Sequence, residues 1–198
     1  MNANGGLSAL PPTGSRVLVI GDSWTAGMSA DPGKSWPELL AEQTGWQIHR
    51  DGQSGTGFAA NLSGHGLPFP VRAARLGGQA PALVIVEGGI NDSPGRALTS
   101  GIRKTVALVR AAYPGTPVVI IGPGTAGWPI NDRIKTVDKT IRTEAKRLHV
   151  PYISPVKGWW ITPNNYRWFI NRDTMHPTNW GHAVYAARAL AAIRYLAR

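Results

Sequence analysis

The chain has 198 residues, of which 42% are hydrophobic, and its 21 lysines and arginines against 11 aspartates and glutamates give a formal charge of +10. This length and apolar content predict one folded domain, and the lack of cysteine excludes a disulfide framework, a thiolate nucleophile and a cysteine-ligated metal site. No apolar stretch reaches the roughly 20 residues of a membrane span, and the basic residues are scattered without a nucleic-acid-binding motif, so neither a membrane span nor a nucleic-acid partner is expected.

The first segment of the chain, residues 1–14, is rich in glycine, alanine, asparagine and proline and carries no basic residue. This composition predicts a flexible lead-in that lacks the basic start and apolar core of a secretory signal. No internal repeat and no second change in composition follows, so residues 15–198 are interpreted as a single domain. The sequence leaves the compartment open between secreted and cytoplasmic, and it leaves the oligomeric state open.

Strand-like and helix-like segments alternate along the domain. The short apolar segments predict five strands, at Arg16–Ile20, Trp46–Arg50, Ala82–Glu87, Pro117–Ile121 and Pro151–Ile153. Apolar residues at helical spacing predict four helices, which are Trp36–Thr44, one through Leu98–Tyr113, one through Ile134–Leu148, and Thr178–Ala197. Such alternation predicts a parallel sheet that is covered by helices on both faces. In these folds the functional site lies outside the carboxyl ends of the strands.

Two polar motifs follow the first and second predicted strands. Gly21-Asp22-Ser23 comes directly after the first strand, where a serine can be exposed at the edge of the sheet or can simply cap a helix. After the second strand, Gly52, Gly55 and Gly57 allow the backbone to approach a ligand and to point N–H groups at an anion. The alternative for this glycine loop is an ordinary turn.

Two further motifs follow the third strand and precede the last helix. Asn91, in Gly89-Ile-Asn-Asp92, has a side-chain amide that can donate hydrogen bonds to a developing oxyanion, or can form an Asx turn. Asp173 and His176 are three residues apart, so the carboxylate can fix the tautomer of the imidazole and leave its other nitrogen free as a base. The alternative for this pair is a structural histidine before proline.

Together the four motifs resemble those of the SGNH (GDSL-type) hydrolase family, in the same order and over nearly the whole domain. The resemblance implies a three-layer α/β/α sandwich of flavodoxin-like type with about five parallel strands. One departure is the run before Gly55, which reads Asp51-Gly-Gln-Ser instead of the commoner asparagine-containing version. This difference leaves Gly52 or Gly57 as alternative amide donors at that position.

The resemblance also implies a role for each matching residue. Ser23 is expected to be the nucleophile, and His176 the general base, oriented by Asp173. The oxyanion hole is expected to comprise the backbone N–H groups of Ser23 and Gly55 and the side chain of Asn91. The resemblance implies no metal and no organic cofactor. From the residues themselves, Ser54 is the rival serine and His182 is interpreted as a structural contact.

The eight tryptophans are many for this length. We expect Trp24, Trp128 and Trp160 to contact the substrate, since aromatic faces suit the apolar faces of sugar rings. The alternative is that these rings wall a small acyl pocket or fill the core. The segment Lys157–Phe169 has no clear periodicity and is predicted to cap the pocket.

The sequence therefore predicts a serine ester hydrolase that acts on small acyl esters, preferably acetyl groups on a carbohydrate or a small alcohol, through an acyl-enzyme. Two alternatives stay open at this point. One is a lipase or thioesterase with the same triad. The other is a non-catalytic module in which the glycine loop and the basic surface bind a sugar or an anion.

Overall fold

The structure of the protein, a computed structural model, describes residues 7–62, 64–125 and 127–198. Five strands form one sheet, namely β1 (Arg16–Gly21), β2 (Gln47–Gly52), β3 (Leu83–Glu87), β4 (Val118–Ile121) and β5 (Tyr152–Ile153). The helices are α1 (Ser23–Ala26), α2 (Trp36–Thr44), α3 (Phe69–Ala73), α4 (Arg96–Ala112), α5 (Asp132–Arg147), α6 (Tyr166–Phe169) and α7 (Asn179–Leu196). All strands pair in parallel, in the order β2-β1-β3-β4-β5.

The sheet has an apolar core on each face because successive side chains of a strand point to opposite sides. On β1, Val17 and Val19 pack into one cluster with residues of α2 and α7, whereas Leu18 and Ile20 pack into the other with residues of α3, α4 and α5. The helices thus cover both faces. This arrangement confirms the predicted three-layer fold, and the strand order is that of flavodoxin-like sheets.

The observed elements differ from the predicted ones at the end of β2 and by three short helices. β2 runs to Gly52, two residues beyond its predicted end, because it continues to pair with β1 as far as Gly21. The helices α1, α3 and α6 have only four or five residues each, too few to show a helical period in the sequence. Two of these short helices, α1 and α3, carry residues of the candidate site described below.

The lead-in segment is described from Leu7 onward, and residues 1–6 lie outside the described residues. Leu7 is buried in the core cluster on the α2 side. The backbone carbonyl of Pro11 accepts a hydrogen bond from the Trp46 indole at 2.9 Å, and the Gly14 N–H donates to the Gly45 carbonyl at 2.9 Å. The described part of the segment therefore packs on the domain, which differs from the flexible lead-in that its composition predicts, because Leu7 removes apolar surface from water there.

The carboxyl ends of the strands converge at one edge of the sheet. Register pairs Gly21 with Gly52, and Glu87 with Ile121, so the loops after β1, β2, β3 and β4 begin side by side. None of the helices in the described part of the chain is long and apolar enough to cross a membrane.

Candidate active site

A tight turn at the end of β1 presents Ser23 as the first residue of α1. Asp22 caps this helix, since its Oδ1 accepts a hydrogen bond from the Trp24 N–H at 2.9 Å. The turn requires glycine at position 21, because a Cβ there would lie 2.0 Å from the Thr25 hydroxyl. Ser23 therefore lies at the carboxyl edge of the central strands, where this fold places functional groups.

Ser23, His176 and Asp173 form one line of hydrogen bonds. The Ser23 Oγ lies 2.9 Å from His176 Nε2, and His176 Nδ1 lies 2.6 Å from Asp173 Oδ2. Because a carboxylate only accepts hydrogen bonds, Nδ1 carries the proton that faces Asp173, and Nε2 of the neutral imidazole accepts the serine O–H. The structure thus brings together a hydroxyl, an imidazole and a carboxylate, an arrangement that can activate a nucleophile.

The loop between α6 and α7 holds Asp173 in its ionised form. Asp173 Oδ1 accepts hydrogen bonds from the backbone N–H groups of Met175 and His176 at 2.9 and 3.0 Å. Partial burial opposes ionisation of Asp173, but these backbone donors and the imidazole outweigh it and lower the pKa from 3.8 to about 2. Asp173 is therefore ionised at neutral pH.

The side chain of Asn91 joins the end of β3 to the glycine loop after β2. Its Nδ2 donates a hydrogen bond to the Thr56 carbonyl at 2.9 Å. Thr56 is buried, and its hydroxyl donates to the Gln53 carbonyl at 2.7 Å. The amide of Asn91 therefore has a fixed position beside the loop that contains Gly55.

The three candidate glycines of this loop have different surroundings. The Gly57 N–H donates to the Ala60 carbonyl at 3.1 Å, so this amide already has an acceptor. Gly52 is the last residue of β2, where a Cβ would come within 2.3 Å of the Ala26 nitrogen. Gly55 lies in the loop itself with a φ of 73°, a conformation that favours glycine.

The residues of this site lie in a part of the chain that matches a known protein family. The sequence profile of the GDSL-like Lipase/Acylhydrolase family matches residues 19–184, a range that contains all four motifs. The chain belongs to this family.

Other members and neighbours extend the comparison. An arylesterase from Vibrio mimicus is 34% identical over 110 residues, which cover 52% of this chain and 53% of the relative, so the match spans about half the length of that curated relative. The solved structure of the native M. smegmatis aryl esterase has a TM-score of 0.68 at 18% identity and covers 92% of this chain and 99% of that chain. A family two carbohydrate esterase from Clostridium thermocellum, solved with cellohexaose, has a TM-score of 0.68 at 17% identity and covers 96% of this chain and 66% of that chain. At these identities the two solved structures show the shared GDSL-type fold.

A buried arginine, which the sequence motifs do not include, ties the glycine loop to the sheet of this GDSL-type domain. Arg72 on α3 is 4% exposed, and it forms an ion pair with Asp51 Oδ1 at 2.8 Å. Its guanidinium also donates to the Gly21 carbonyl at 2.8 Å and to the Thr56 hydroxyl at 3.2 Å. Arg72 therefore connects the ends of β1 and β2 to the residue that holds Asn91.

Two buried carboxyl groups lie beneath Ser23. Burial raises the pKa of Asp22 from 3.8 to about 7, and the nearby charge of Asp92 adds to the shift against the opposing effects of the Trp24 N–H and Arg72. Burial and the neighbouring Asp22 likewise raise the pKa of Glu87 well above 4.5, although Glu87 Oε2 accepts the Thr25 hydroxyl at 2.7 Å. Adjacent acidic groups in a dry environment are not ionised together, so protons are retained in this cluster at neutral pH.

Two of the three tryptophans predicted to contact substrate are core residues. Trp24 has 0% exposure and packs edge-on against Tyr185 at 5.5 Å between ring centroids. Trp160 is 6% exposed and also packs edge-on against Tyr185, at 4.9 Å between ring centroids. Both rings belong to the core cluster that also contains residues of β1 and α7. They therefore have the core role that the sequence analysis gave as the alternative to substrate contact. Trp128 is partly exposed and contacts Trp159 at 5.7 Å.

His182 has the structural role that its position in α7 predicts. It is fully buried, its Nδ1 accepts the Trp36 N–H at 3.3 Å, and its Nε2 lies 3.2 Å from the Met28 carbonyl. Burial lowers its pKa to about 4, so the ring stays neutral and links α7 to α2. Among the described residues, no group of three or more histidine, cysteine or acidic side chains is arranged to hold a metal ion.

Proposed function

We propose that the protein is a serine ester hydrolase that removes short acyl groups, preferably acetyl, from a carbohydrate or a small alcohol. The observation that carries this proposal is the 2.9 Å contact between Ser23 Oγ and His176 Nε2, with Asp173 behind the imidazole. Family membership over residues 19–184 supports it.

In the proposed reaction, the Ser23 oxygen attacks the ester carbonyl carbon while His176 Nε2 takes the serine proton. Asp173 stabilises the imidazolium through Nδ1 and keeps the ring oriented. The tetrahedral intermediate then loses the alcohol, which leaves with the proton from His176, and Ser23 stays acylated. His176 next removes a proton from water, whose oxygen attacks the acyl-enzyme and releases the acid. Every step uses groups of the chain itself, so the proposal requires no cofactor.

Charge on the carbonyl oxygen would be stabilised by the Ser23 N–H, the Gly55 N–H and the Asn91 side chain. A side-chain NH₂ carries two hydrogens, and the Asn91 bond to the Thr56 carbonyl uses one of them. The second hydrogen is then held in place for the oxyanion. A donor that is positioned before the reaction begins stabilises the transition state without further reorganisation.

The substrate class rests on the relatives and on the surface of this chain. The Vibrio mimicus relative is an arylesterase, and the Clostridium thermocellum neighbour is a carbohydrate esterase solved with cellohexaose. Both descriptions support an ester with a ring on its alcohol side. Of the predicted substrate tryptophans, the partly exposed Trp128 remains the candidate for contact with that ring.

The test combines covalent labelling with turnover. A fluorophosphonate should label the native protein and the Ser54→Ala variant but not Ser23→Ala, and p-nitrophenyl acetate hydrolysis should fall at least ~10³-fold in Ser23→Ala. Ser100→Ala, an exposed serine of α4, is the matched control and should retain native turnover. Retention of most activity in Ser23→Ala would disprove the assignment of the nucleophile.

Acyl-chain length separates this proposal from its alternatives. Turnover that is highest on acetyl and propionyl esters supports the proposed class, whereas a maximum on long-chain esters or on acyl thioesters supports a lipase or thioesterase. Neither labelling nor turnover on any ester would instead support a non-catalytic module that binds a sugar or an anion through the glycine loop.

A further inference from the structure

An apolar pocket lies between the loops that follow β4 and β5 and the start of α5. It has a volume of about 380 Å³ and is lined by Trp128, Pro129, Ile130, Lys135, Val156, Lys157 and Trp159. Its size and its mixture of aromatic and aliphatic walls are those of small-molecule sites, which carry few polar groups. Neither Ser23 nor any other residue of the hydrogen-bonded triad contributes to this lining.

One wall of the pocket is formed by two indole rings that contact each other at an angle. The indole rings of Trp128 and Trp159 touch at 5.7 Å between centroids, with 49° between their planes. Trp159 is nevertheless 60% exposed, so its ring is accessible to solvent and is not buried in the core. A flat aromatic face that is left open to solvent is suited to contact with the face of another ring.

The backbone is built to direct this ring outward. Trp159 has a φ of 51°, a conformation that is costly for a residue with a side chain and that persists only where its surroundings impose it. The Trp160 N–H donates to the Pro155 carbonyl at 3.1 Å, and Arg188 of α7 donates to the Trp159 carbonyl at 3.3 Å. These contacts keep Trp160 in the core and its neighbour Trp159 at the surface.

The rim of the pocket is basic. Lys135 and Lys157 both line it, and Lys135 pairs at 2.9 Å with Asp132, whose side chain is 95% exposed. In the described part of the chain, the ammonium group of Lys157 has no carboxylate within ion-pair distance. The pocket therefore has a positive charge available beside an aromatic wall.

We propose that this pocket binds a ring-shaped ligand that carries a carboxylate. The ring lies on Trp128 and Trp159, and the carboxylate faces Lys157. Two sources share this chemistry, a sugar acid and an aromatic acid, and the structure favours both over their neutral counterparts. No triad residue lines this pocket, although Trp128 is also the residue proposed to contact the ring of the ester substrate. The binding test below does not depend on turnover, so its failure is distinguishable from failure of the esterase proposal.

The test measures binding to the native protein by isothermal titration calorimetry with two matched pairs of ligands. The pairs are galacturonate with galactose, and benzoate with benzamide, so that each acid has a neutral partner of similar shape. We expect at least one acid to bind more tightly than its neutral partner, and the pair that shows the preference identifies the source. No acid preference in either pair would overturn the proposal.

Variants then locate the binding. Trp159→Ala should raise the Kd for the preferred acid by about tenfold or more, as removal of an aromatic anchor does. Trp168→Ala, at another exposed tryptophan, should leave this Kd unchanged. Lys157→Gln should raise the Kd for the acid by about two- to fivefold, as expected for loss of one exposed ion pair, and should leave the Kd for the neutral ligand unchanged. Lys104→Gln on α4 is its control. Equal losses in Trp168→Ala, or no loss in Lys157→Gln, would contradict the assigned pocket.

Discussion

The carboxylate of Asp92 occupies the space in which a side chain at position 57 would lie. A Cβ on Gly57 would be 2.3 Å from Asp92 Oδ2, and the same carboxylate accepts the backbone N–H groups of residues 58–60 at 2.8–2.9 Å. Three backbone donors on one buried carboxylate fix the course of the loop. The position of Gly55 therefore depends on a residue that follows a different strand.

Gly57→Ala should consequently impair catalysis without changing any proposed catalytic group. The added methyl has to displace Asp92, and a shift of about 1 Å in a positioned group can cost roughly 10²-fold in rate. We expect kcat for p-nitrophenyl acetate to fall by about 10- to 100-fold, with KM changed less. Gly77→Ala is the control, because no atom lies within 4 Å of a Cβ at that position.

A double variant tests whether the two residues act through one contact. Asp92→Ala alone should also lower kcat, because the backbone donors of residues 58–60 lose their acceptor. If both substitutions act on the same loop geometry, the loss in Gly57→Ala/Asp92→Ala should be smaller than the product of the single losses. Multiplicative losses would show that the two residues act separately.

Asn91→Ala removes a side chain proposed to donate to the oxyanion. Loss of one such donor commonly costs about 10²–10³ in kcat, and the loss should appear in kcat because the charge develops only in the transition state. Steady-state kinetics with p-nitrophenyl acetate measures this. Asn164→Ala, which removes an exposed asparagine amide, is the control. An effect on KM alone would make Asn91 a substrate-binding residue.

The strand–helix order and the four motifs were readable from the sequence because each depends on local pattern. A buried parallel strand is visible in the sequence as a short apolar segment. Polar motifs follow directly after Ile20 and Glu87, which is where the functional site of a parallel sheet is expected. The strand order and the distance between Ser23 and His176 depend on packing between segments far apart in the chain. For these, sequence reasoning relied on the family resemblance.

Contacts made by residues of very short helices could not be predicted from the sequence, because such helices show no periodic pattern. Arg72 lies on a five-residue helix, and only the folded chain shows that its guanidinium reaches the Gly21 and Thr56 groups. Trp24 follows Ser23 directly, which suggested a place in the site, yet successive residues of a helix face different directions and its ring enters the core. In the sequence, Arg72 is a basic residue between the motifs at Gly55 and Gly89, and nothing there marks it as buried.

Asp173→Asn should separate the orienting role of the carboxylate from its charge. The amide keeps the size of the side chain, but its NH₂ group does not accept the proton that Nδ1 of His176 presents, so the imidazole is held in the wrong tautomer. We expect kcat at pH 7 to fall by about 10²–10⁴-fold.

The pH profile provides the second half of this test. Burial is outweighed by hydrogen bonds from the backbone N–H groups and the imidazole, which hold the pKa of Asp173 at about 2, so this carboxylate stays ionised from pH 7 to pH 4 and does not cause a loss of activity there. The proposed general base His176 takes the serine proton only when its imidazole is neutral. The native kcat/KM should therefore decrease on acidification in this range. A loss of less than tenfold in Asp173→Asn, or a native profile that is flat from pH 4 to pH 7, would contradict the proposed roles.

The buried Asp22 should make stability depend on pH. Burial raises its pKa from 3.8 to about 7, so the folded protein keeps this proton between about pH 4 and pH 7 while the unfolded chain releases it. The folded state then binds more protons, and its stability falls as the pH rises through that window. His182 acts in the opposite sense, because burial lowers its pKa to about 4 and its contribution to stability increases as the pH rises to about 6.5.

Asp22→Asn isolates the first of these effects, since asparagine cannot ionise and its side-chain oxygen can still accept the Trp24 N–H. The quantity to measure is the melting temperature of the variant minus that of the native protein, in which the contribution of His182 cancels. This difference should increase from pH 4 to pH 7 and then level off. Asp132→Asn, at a side chain that is 95% exposed, should give a flat difference. A flat or decreasing difference for Asp22→Asn would mean that Asp22 is ionised beneath Ser23 at neutral pH.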